Sequence, residues 1–296
     1  MELLTGENDN ARRLDRILRK ALPNYPLSMI HRLLRQGQVF INGKPAKAQD
    51  RPACGMIISI PSLKESAITT TASGSSTTVP EVIWESSGLI AVNKPPGLAT
   101  HGNNSLESMV CSFLSGKLTP SLSFKPGPLH RLDKPSSGLV VFSTSLEGAR
   151  GFSSLMRDLK VKKTYLAIIE GTLKNDEIWQ DVLVRDKEKK KTFISGTSDG
   201  KTAITKVIAL AVKNDFSLIQ VEITTGRTHQ IRSQAAAHGY PLLGDIKYGA
   251  KGAKRQIADI YLHAWKLEFS NNLIKAPLPD RFRDKVNELF GVISYK

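Results

Sequence analysis

A stretch rich in serine and threonine divides this 296-residue chain into two unequal parts. Ten of the eighteen residues from 62 to 79 are Ser or Thr, and the few apolar residues among them follow neither a helical nor a strand period. A segment with so little apolar surface cannot join a packed core, so it predicts a flexible linker. The chain is therefore expected to fold as a small N-terminal module, residues 1–61, and a larger domain, residues 80–296.

The N-terminal part starts with two short amphipathic helices. In residues 11–22 the apolar side chains recur at helical spacing, and five basic side chains occupy the other faces. A second helix is expected to begin near Ser28 and to end at Gly37, because glycine readily adopts the backbone that closes a helix. Asn42-Gly43 predicts a tight turn after a strand. The two short strands of this part are predicted at 39–41 and 56–60.

The larger part contains many short strands and few helices. Strands are predicted at 82–84, 89–93, 139–142, 164–170, 193–195, 203–210, 217–224 and 261–269. Helices are predicted at 106–114, 146–159 after an N-capping Ser145, 228–238 and 281–290. The excess of strands and the hairpin signal Asp199-Gly200 indicate an α+β fold, with a mixed, mainly antiparallel β-sheet and peripheral helices rather than a doubly wound sheet.

The charge of the chain favours polyanionic partners. Its 42 Lys and Arg outnumber its 27 Asp and Glu, for a formal net charge of +15, which suits RNA, DNA or an acidic membrane surface. No apolar run is long enough to cross a bilayer and the N-terminus is polar, so a cytoplasmic location is expected. Cys54 and Cys111 lie far apart and no His has zinc-motif spacing, so neither a disulfide nor a metal site is expected.

An acidic residue stands in a polar turn before a strand that is expected to be buried. The segment His130-Arg131-Leu132-Asp133-Lys134 leads through Pro135 into residues 139–142. An aspartate at such a position can project its side chain into a cleft. By itself, however, Asp133 has the commoner alternative of a turn or capping residue.

Two further segments could complete a site around Asp133. Thr225-Gly226 ends a strand and Thr228 can open a helix, which would put Arg232 on the second turn, where it could hold a carboxylate bidentately in its ionised form. Tyr165 lies on an alternating strand, where its ring could stack on a nucleobase. A solvated helix-surface arginine and a core tyrosine are the alternatives that these residues leave open.

In their order along the chain and in their residues, these three segments resemble those of the pseudouridine synthases of the ribosomal large-subunit (Rlu-type) family. The resemblance runs from about residue 81 to residue 269 and is supported by similar segments at 92–97, 239–245 and 262–264. It implies that Asp133 is the catalytic aspartate, Tyr165 the ring against the base and Arg232 the ion-pair partner of the aspartate. The chain departs from the family at Pro135, where an acidic residue is common, and at Ser233-Gln234, which replace a frequent Val-His.

The N-terminal part resembles the RNA-binding module first described in a small-subunit ribosomal protein (S4-like). The resemblance rests on the order of its elements and on the run from Leu33 to Lys44. It implies that the module binds RNA, and the charge and linker suggest that it raises the local RNA concentration rather than building the active site. The residues expected to contact RNA are Arg32, Arg35 and Lys44 in the module and Arg131, Arg227 and His229 in the larger domain.

The family resemblance implies an enzyme that flips a uridine out of an RNA, detaches its base and rejoins the base to the sugar through carbon. Whether Asp133 attacks the sugar, adds to the ring or removes a sugar proton stays open at this point. No group is lost or oxidised, so no metal or organic cofactor is expected. Large-subunit ribosomal RNA is the favoured substrate and transfer RNA the alternative, and the enzyme is expected to be a monomer. The rival functions are a non-catalytic RNA-binding protein and an RNA methyltransferase.

One motif has the residue pattern of a hydrolase but not the structural context that this pattern requires. Gly196 to Gly200 has the Gly-x-Ser-x-Gly pattern of hydrolases, yet β-branched residues rather than a helix follow it. It is expected to be a hairpin tip. The basic run from Lys187 to Lys191 is expected to be a solvated turn.

Overall fold

The structure of the chain is a computed structural model. It describes residues 1–61, 79–86, 88–197, 199–251 and 260–293. Except for Val79, the linker predicted at residues 62–79 lies outside the described residues. Within these ranges, no helix combines the length and the apolar character that crossing a membrane requires.

The N-terminal residues form a small sheet covered by two helices. The elements are β1 (Glu2–Leu4), α1 (Leu14–Ala21), α2 (Leu27–Arg35), β2 (Phe40–Ile41), β3 (Lys44–Pro45) and β4 (Ile57–Ser59). The strands lie in the order β1-β4-β2-β3, and every pair is antiparallel. The apolar faces of α1 and α2 pack with Val39 and Ile58 into one buried cluster. The sequence pattern placed both helices correctly because the periodicity reflects this packing.

The local signals of the small sheet are largely confirmed. Asn42 and Gly43 have φ angles of 47° and 77°, which a two-residue hairpin turn of this kind requires. Gly37 has a φ of 67° and follows Gln36, the C-cap of α2, so it closes that helix as predicted. The helix α2 begins at Leu27, one residue before Ser28, and its N-cap is Pro26 rather than Ser28.

The larger part is built on one eleven-stranded sheet. Its strands are β5 (Glu81–Ser86), β6 (Leu89–Lys94), β7 (Gly127–Pro128), β8 (Ser137–Ser143), β9 (Lys162–Glu170), β10 (Glu177–Asp186), β11 (Lys191–Ile194), β12 (Lys201–Lys213), β13 (Phe216–Ile223), β14 (Leu262–Phe269) and β15 (Asn272–Lys275). The order is β11-β10-β12-β13-β9-β14-β8-β6-β5, with β15 paired to β14 and β7 paired to β8. Only the pairing of β14 with β8 is parallel among these described strands. The predicted α+β fold with a mixed, mainly antiparallel sheet is confirmed.

In the described part of the chain, four α-helices accompany this sheet: α3 (Leu106–Leu114), α4 (Leu146–Arg157), α5 (Gln230–Ala237) and α6 (Asp280–Phe290). Each matches a predicted helix, and α3 has the predicted bounds. Ser145 caps α4 as expected, since its hydroxyl accepts a hydrogen bond from the Gly148 backbone N–H. These ends could be predicted because capping depends only on neighbouring residues.

The prediction of a hairpin tip at Asp199-Gly200 is wrong. Both β11 and β12 pair with β10, one on each side, so the connecting segment passes from one edge of β10 to the other. The true hairpin turn is the basic run at 187–190, which joins β10 to β11 and is confirmed as a turn. β10 itself was not predicted, because its apolar residues fall on both faces: Ile178 is 70% exposed and Trp179 only 1%.

Gly138 allows β8 and β14 to approach each other closely, which sets the distance between the turn before β8 and Tyr165. β8 and β14 meet at Gly138 and Ala264, where a Cβ on Gly138 would lie 2.2 Å from the Ala264 carbonyl oxygen. The φ of Gly138 is +112°, which L side chains rarely adopt. Ala264 in turn pairs with Tyr165 on β9. The turn before β8 therefore lies two strands, or about 10 Å, from Tyr165.

Candidate active site

The side chains of Asp133 and Arg232 meet in the middle of the larger domain, although 99 residues separate them. Arg232 Nη1 donates a hydrogen bond of 3.0 Å to Asp133 Oδ2. The Arg232 side chain is 7% exposed and that of Asp133 is 17% exposed, so the pair is partly shielded from water but open on the carboxylate side. Asp133 thus has a fixed cationic partner and an oxygen within reach of a ligand.

A second carboxylate holds Arg232 in place. Arg232 Nε and Nη2 donate to the two oxygens of Asp245 at 2.7 and 2.9 Å. This planar two-point contact leaves Nη1 as the nitrogen that faces Asp133. The sequence led us to expect that Arg232 binds Asp133 bidentately, and that detail is wrong because the bidentate partner is Asp245. Burial opposes the charge, but both carboxylates outweigh it and raise the pKa of Arg232.

The start of α5 differs from the prediction and this changes how Arg232 is placed. The helix begins at Gln230 rather than Thr228, because His229 precedes it in the left-handed region with a φ of 55°. Arg232 therefore lies in the first turn. The buried Gln230 side chain fixes the turn before the helix, since its Oε1 accepts from the Thr225 hydroxyl at 2.8 Å and the Arg227 backbone N–H at 3.0 Å.

Two residues that were not predicted as site residues fix the turn that carries Asp133. The Lys94 ammonium is fully buried and donates to the carbonyls of Pro95, Leu98 and Lys134 at 2.9, 2.8 and 3.2 Å. The Thr100 hydroxyl donates to the Leu132 carbonyl at 2.9 Å and accepts from its N–H at 3.2 Å. The loop after β6 thus holds the backbone on both sides of Asp133. Burial lowers the pKa of Lys94 to about 8, and Asp133 partly opposes this shift.

Tyr165 and Asp133 line the same small pocket, which has a volume of about 110 Å³. Tyr165 is 7% exposed, and Ile223 and Leu262 provide further apolar wall. Burial, reinforced by the Asp133 carboxylate, raises the pKa of the Tyr165 hydroxyl, which therefore stays neutral. A flat ring, aliphatic walls and one carboxylate suit an uncharged planar group such as a nucleobase.

A wider cleft of about 580 Å³ opens on the other side of Asp133. Its lining includes the basic residues Arg131, Lys134, Arg185, Lys190 and Lys247. Arg131, Asp133, His229 and Arg232 line both spaces, so the carboxylate lies at the boundary between the small pocket and the cationic cleft. This arrangement fits a nucleotide whose base enters the pocket while its phosphates stay in the cleft.

His229 presents a neutral imidazole beside Asp133. Its Nδ1 lies 2.8 Å from the Tyr248 hydroxyl, which accepts a hydrogen bond of 2.9 Å from the Thr192 backbone N–H. Its Nε2 lies 3.7 Å from Asp133 Oδ2. A proton on Nε2 suits both contacts, because Nδ1 then accepts from Tyr248 and an N–H rather than a lone pair faces the carboxylate. Burial lowers the pKa of His229 to about 4 despite the opposing effect of Asp133.

The structure brings together most of the predicted site residues. Asp133, Tyr165 and Arg232 share one pocket, and Arg131, Arg227 and His229 line it too. Arg32, Arg35 and Lys44 lie apart, on the N-terminal sheet and its second helix. The missed residues are Lys94, Thr100, Asp245 and Tyr248. Lys94 and Asp245 lie within two segments noted for their resemblance, 92–97 and 239–245, but nothing local to these segments indicates which distant groups they bind.

Two domain families match the chain. The model described as RNA pseudouridylate synthase matches residues 88–237, a little over half of the chain. The S4 domain model matches residues 12–56. The first match runs from β6 to α5 and includes Asp133, Tyr165 and Arg232, and the second includes α1, α2, β2 and β3.

Named relatives match over nearly the whole chain. It is 29% identical to the ribosomal large subunit pseudouridine synthase C of Vibrio vulnificus (strain CMCP6), over 92% of this chain and 89% of that protein. It is 31% identical to the ribosomal large subunit pseudouridine synthase D of Neisseria meningitidis (serogroup A / serotype 4A, strain DSM 15465 / Z2491), over 90% and 76%. Human RNA pseudouridylate synthase domain containing 4 has the same fold, with a TM-score of 0.60 at 22% identity over 71% of this chain and 92% of that one.

Proposed function

The chain belongs to the RNA pseudouridylate synthase family, and on that premise we propose that it isomerises specific uridines in large-subunit ribosomal RNA, with Asp133 as the catalytic carboxylate. The observation that carries the proposal is the contact of Asp133 with the doubly anchored Arg232 at the edge of a pocket walled by Tyr165. A protein that only bound RNA would have no use for a carboxylate held at that point.

The reaction exchanges one bond to the sugar for another. The bond from ribose C1′ to uracil N1 breaks and a bond from C1′ to C5 forms, while C5 loses its proton and N1 gains one. In the proposed complex the flipped uracil lies against Tyr165, and the backbone next to it lies in the cleft near Arg131 and Lys247. Asp133 faces the sugar and base at the junction of these two spaces.

The neighbours of Asp133 suit a reaction in which the base must detach and turn. Arg232 keeps a positive charge against the carboxylate while Asp245 prevents that charge from moving toward the substrate. Tyr165 offers a neutral ring that permits rotation of a flat ligand, since stacking has no fixed angular partner. Neutral His229 supplies an N–H donor at the same boundary. No step in this scheme requires a redox partner.

The proposed substrate follows from the relatives and from charge. The Vibrio and Neisseria relatives are named as ribosomal large-subunit enzymes, which favours that RNA over transfer RNA. The formal charge of +15 and the cationic cleft fit a heavily folded polyanion. We further propose residues 1–61 as an S4-like RNA-binding module, 62–79 as a linker and 80–296 as the catalytic domain, in a monomeric cytoplasmic enzyme.

A tritium-release assay tests this function directly. RNA carrying uridine tritiated at ring carbon C5 should release label when the purified protein is added without a cofactor. The variant Asp133→Asn should release none above background while binding the same RNA with nearly unchanged affinity, because the carboxylate acts in chemistry rather than docking. Release by Asp133→Asn at the wild-type rate would remove Asp133 from the site, and binding without release by the wild type would favour the non-catalytic alternative.

A further inference from the structure

A buried carboxylate joins the N-terminal sheet to the larger domain. Asp9 is fully buried in the short 3-10 turn Glu7–Asp9. Its oxygens accept hydrogen bonds of 2.9 Å from the Ser121 hydroxyl and from the backbone N–H groups of Leu122 and Ser123. The Ser123 hydroxyl and the Gly6 N–H also donate to it. Burial opposes ionisation, but these hydrogen bonds, led by that from Ser123, outweigh it and lower the pKa of Asp9.

Other contacts support the same junction. The side chain of Asn8 accepts a hydrogen bond of 2.6 Å from the Leu146 backbone N–H at the start of α4. Arg12 Nη1 donates to the carbonyl and hydroxyl of Ser123 at 3.0 and 2.9 Å. Leu122 packs against the apolar cluster of the small sheet. Charge-assisted bonds and apolar contact together hold the small sheet in one place on the larger domain, rather than leaving it only tethered.

This junction forms one wall of a groove of about 980 Å³ with a strongly basic lining. The helix α1 and the residues just before it supply Arg12, Arg16, Arg19 and Lys20, and the larger domain supplies Lys125. Arg150, on α4, is close enough to contribute with burial and Arg16 to lowering the pKa of Arg12. We call these six residues the groove cations.

The groove cations have little compensating negative charge. Arg16, Arg19, Lys20, Lys125 and Arg150 form no ion pair with any residue that the structure describes. Like charges held close together repel one another, which costs free energy unless a polyanion is present. The arrangement therefore favours a partner with a regular series of negative charges.

We propose that this groove binds the phosphate backbone of the substrate RNA at a second place, away from the isomerisation pocket, and that the buried Asp9 contact builds the groove by fixing the small sheet. The proposal rests on the proposed function, since it assigns the groove to the same RNA. β8 connects the two places: its first residues follow the turn of Asp133, and its last residue, Ser143, lines the groove. Seven residues at about 3.3 Å each put the groove on the order of 20 Å from Asp133, a distance that one folded RNA can bridge.

The first test removes groove charge. The triple variant Arg16→Gln, Arg19→Gln and Lys20→Gln is compared with a matched variant, Lys174→Gln, Lys213→Gln and Lys275→Gln, whose exposed side chains lie outside the groove. Binding of large-subunit ribosomal RNA fragments is titrated against salt. The groove variant should bind at least tenfold more weakly near 0.1 M salt, and its log–log salt slope should be flatter by about 2 to 3 because three cations no longer neutralise phosphates. Equal slopes for the two variants would overturn the proposal.

The second test distinguishes an effect of the Asp9 junction on RNA binding from an effect of net charge alone. Asp9→Asn removes one negative charge, so charge alone predicts unchanged or tighter RNA binding. The proposal predicts weaker binding, because the amide NH2 would face the Ser121 and Ser123 donors and release the small sheet. Ser123→Ala removes a donor from the other side of the junction and should weaken binding in the same direction. Small-angle scattering should report a larger radius of gyration for both variants. Unchanged or tighter RNA binding by both would overturn the role of the junction.

The outcomes of these tests do not depend on catalysis. If the wild-type protein fails to release tritium but the two triple variants differ as expected, the proposed function fails and the groove remains an RNA site. If the wild type releases tritium and the two triple variants bind alike, the function stands and the groove proposal fails.

Discussion

Asp245 binds Arg232 through both carboxylate oxygens and so fixes the one guanidinium nitrogen that remains for Asp133. The Asp245 side chain is 1% exposed, and that of Arg232 is 7% exposed. In the proposed mechanism the catalytic carboxylate is therefore positioned through Arg232, which a second, almost fully buried carboxylate holds in place. Lys94 and Tyr248 have the same kind of positioning role, for the Asp133 turn and for His229 respectively.

Removing the charge of Asp245, whose side chain is 1% exposed, should disturb the site through the loss of its contact with Arg232. Asp245→Asn leaves a buried guanidinium with a weaker partner, and breaking a buried ion pair costs about 3 kcal/mol or more of the free energy of unfolding. Arg232→Met should cost both stability and activity for the same reason. Chemical denaturation and tritium release measure the two effects, with the exposed Asp284→Asn as control. Wild-type stability in Asp245→Asn would contradict the prediction.

Tyr165 should act through its ring. Tyr165→Phe keeps the flat surface, so it should retain most of the isomerisation rate. Tyr165→Leu loses base stacking, which is worth roughly 1 to 3 kcal/mol, and kcat/KM should fall by about fivefold to 150-fold. Steady-state tritium release on one RNA compares the two variants. A loss in Tyr165→Phe as large as that in Tyr165→Leu would instead assign a role to the hydroxyl.

The Tyr248 hydroxyl should control the tautomer of His229. Tyr248→Phe removes the hydroxyl next to Nδ1 and leaves the buried Thr192 N–H without its acceptor, which costs about 1 to 3 kcal/mol of stability. Nitrogen NMR of His229 should show mainly Nε2 protonation in the wild type and a mixture of tautomers in Tyr248→Phe. Tyr25→Phe, in the connection between α1 and α2, serves as a control. Identical imidazole spectra for wild type and Tyr248→Phe would show that the hydroxyl does not select the tautomer.

Lys94 should give the protein a characteristic dependence of stability on pH. Burial lowers its pKa from 10.5 to about 8 in the folded state, so between these values the unfolded chain binds more protons. The contribution of Lys94 to the free energy of unfolding is thus constant below about pH 8 and rises with pH from there to about 10.5, by up to about 3 kcal/mol. The difference in stability between wild type and Lys94→Met, measured across this range, isolates the effect. A difference that does not change with pH would refute it.

Deleting residues 1–61 should separate RNA affinity from catalysis. Every residue of the proposed isomerisation pocket belongs to the larger domain, so the truncated protein is expected to fold and to modify a short RNA at saturating concentration. Its affinity should be lower and its salt slope flatter, by about 0.7 to 0.9 for each phosphate that the deleted residues neutralise. Paired salt titrations of full-length and truncated protein measure this. Parallel titrations with equal affinity would indicate that the small sheet does not bind this RNA.

The sequence by itself determined the features that depend on neighbouring residues. The bounds of α3, the Ser145 cap and the Asn42-Gly43 turn follow from periodicity and from the conformational preferences of a few adjacent residues. Asp133, Tyr165 and Arg232 could be named because three segments resemble those of a known family. That resemblance carries residue identities but not the geometry of their contacts.

Only the tertiary structure decided which distant groups meet. Asp245 rather than Asp133 became the bidentate partner of Arg232, and β10 was inserted between β11 and β12 despite a local turn signal. The Asp9 carboxylate accepts hydrogen bonds from residues 121–123, which are more than a hundred residues away in the sequence. The physical reason is that a buried carboxylate must recover the hydrogen bonds it loses to water, and many donors in the chain could supply them. Which donor does so depends on the packing of whole strands and helices, which no short segment of the sequence specifies.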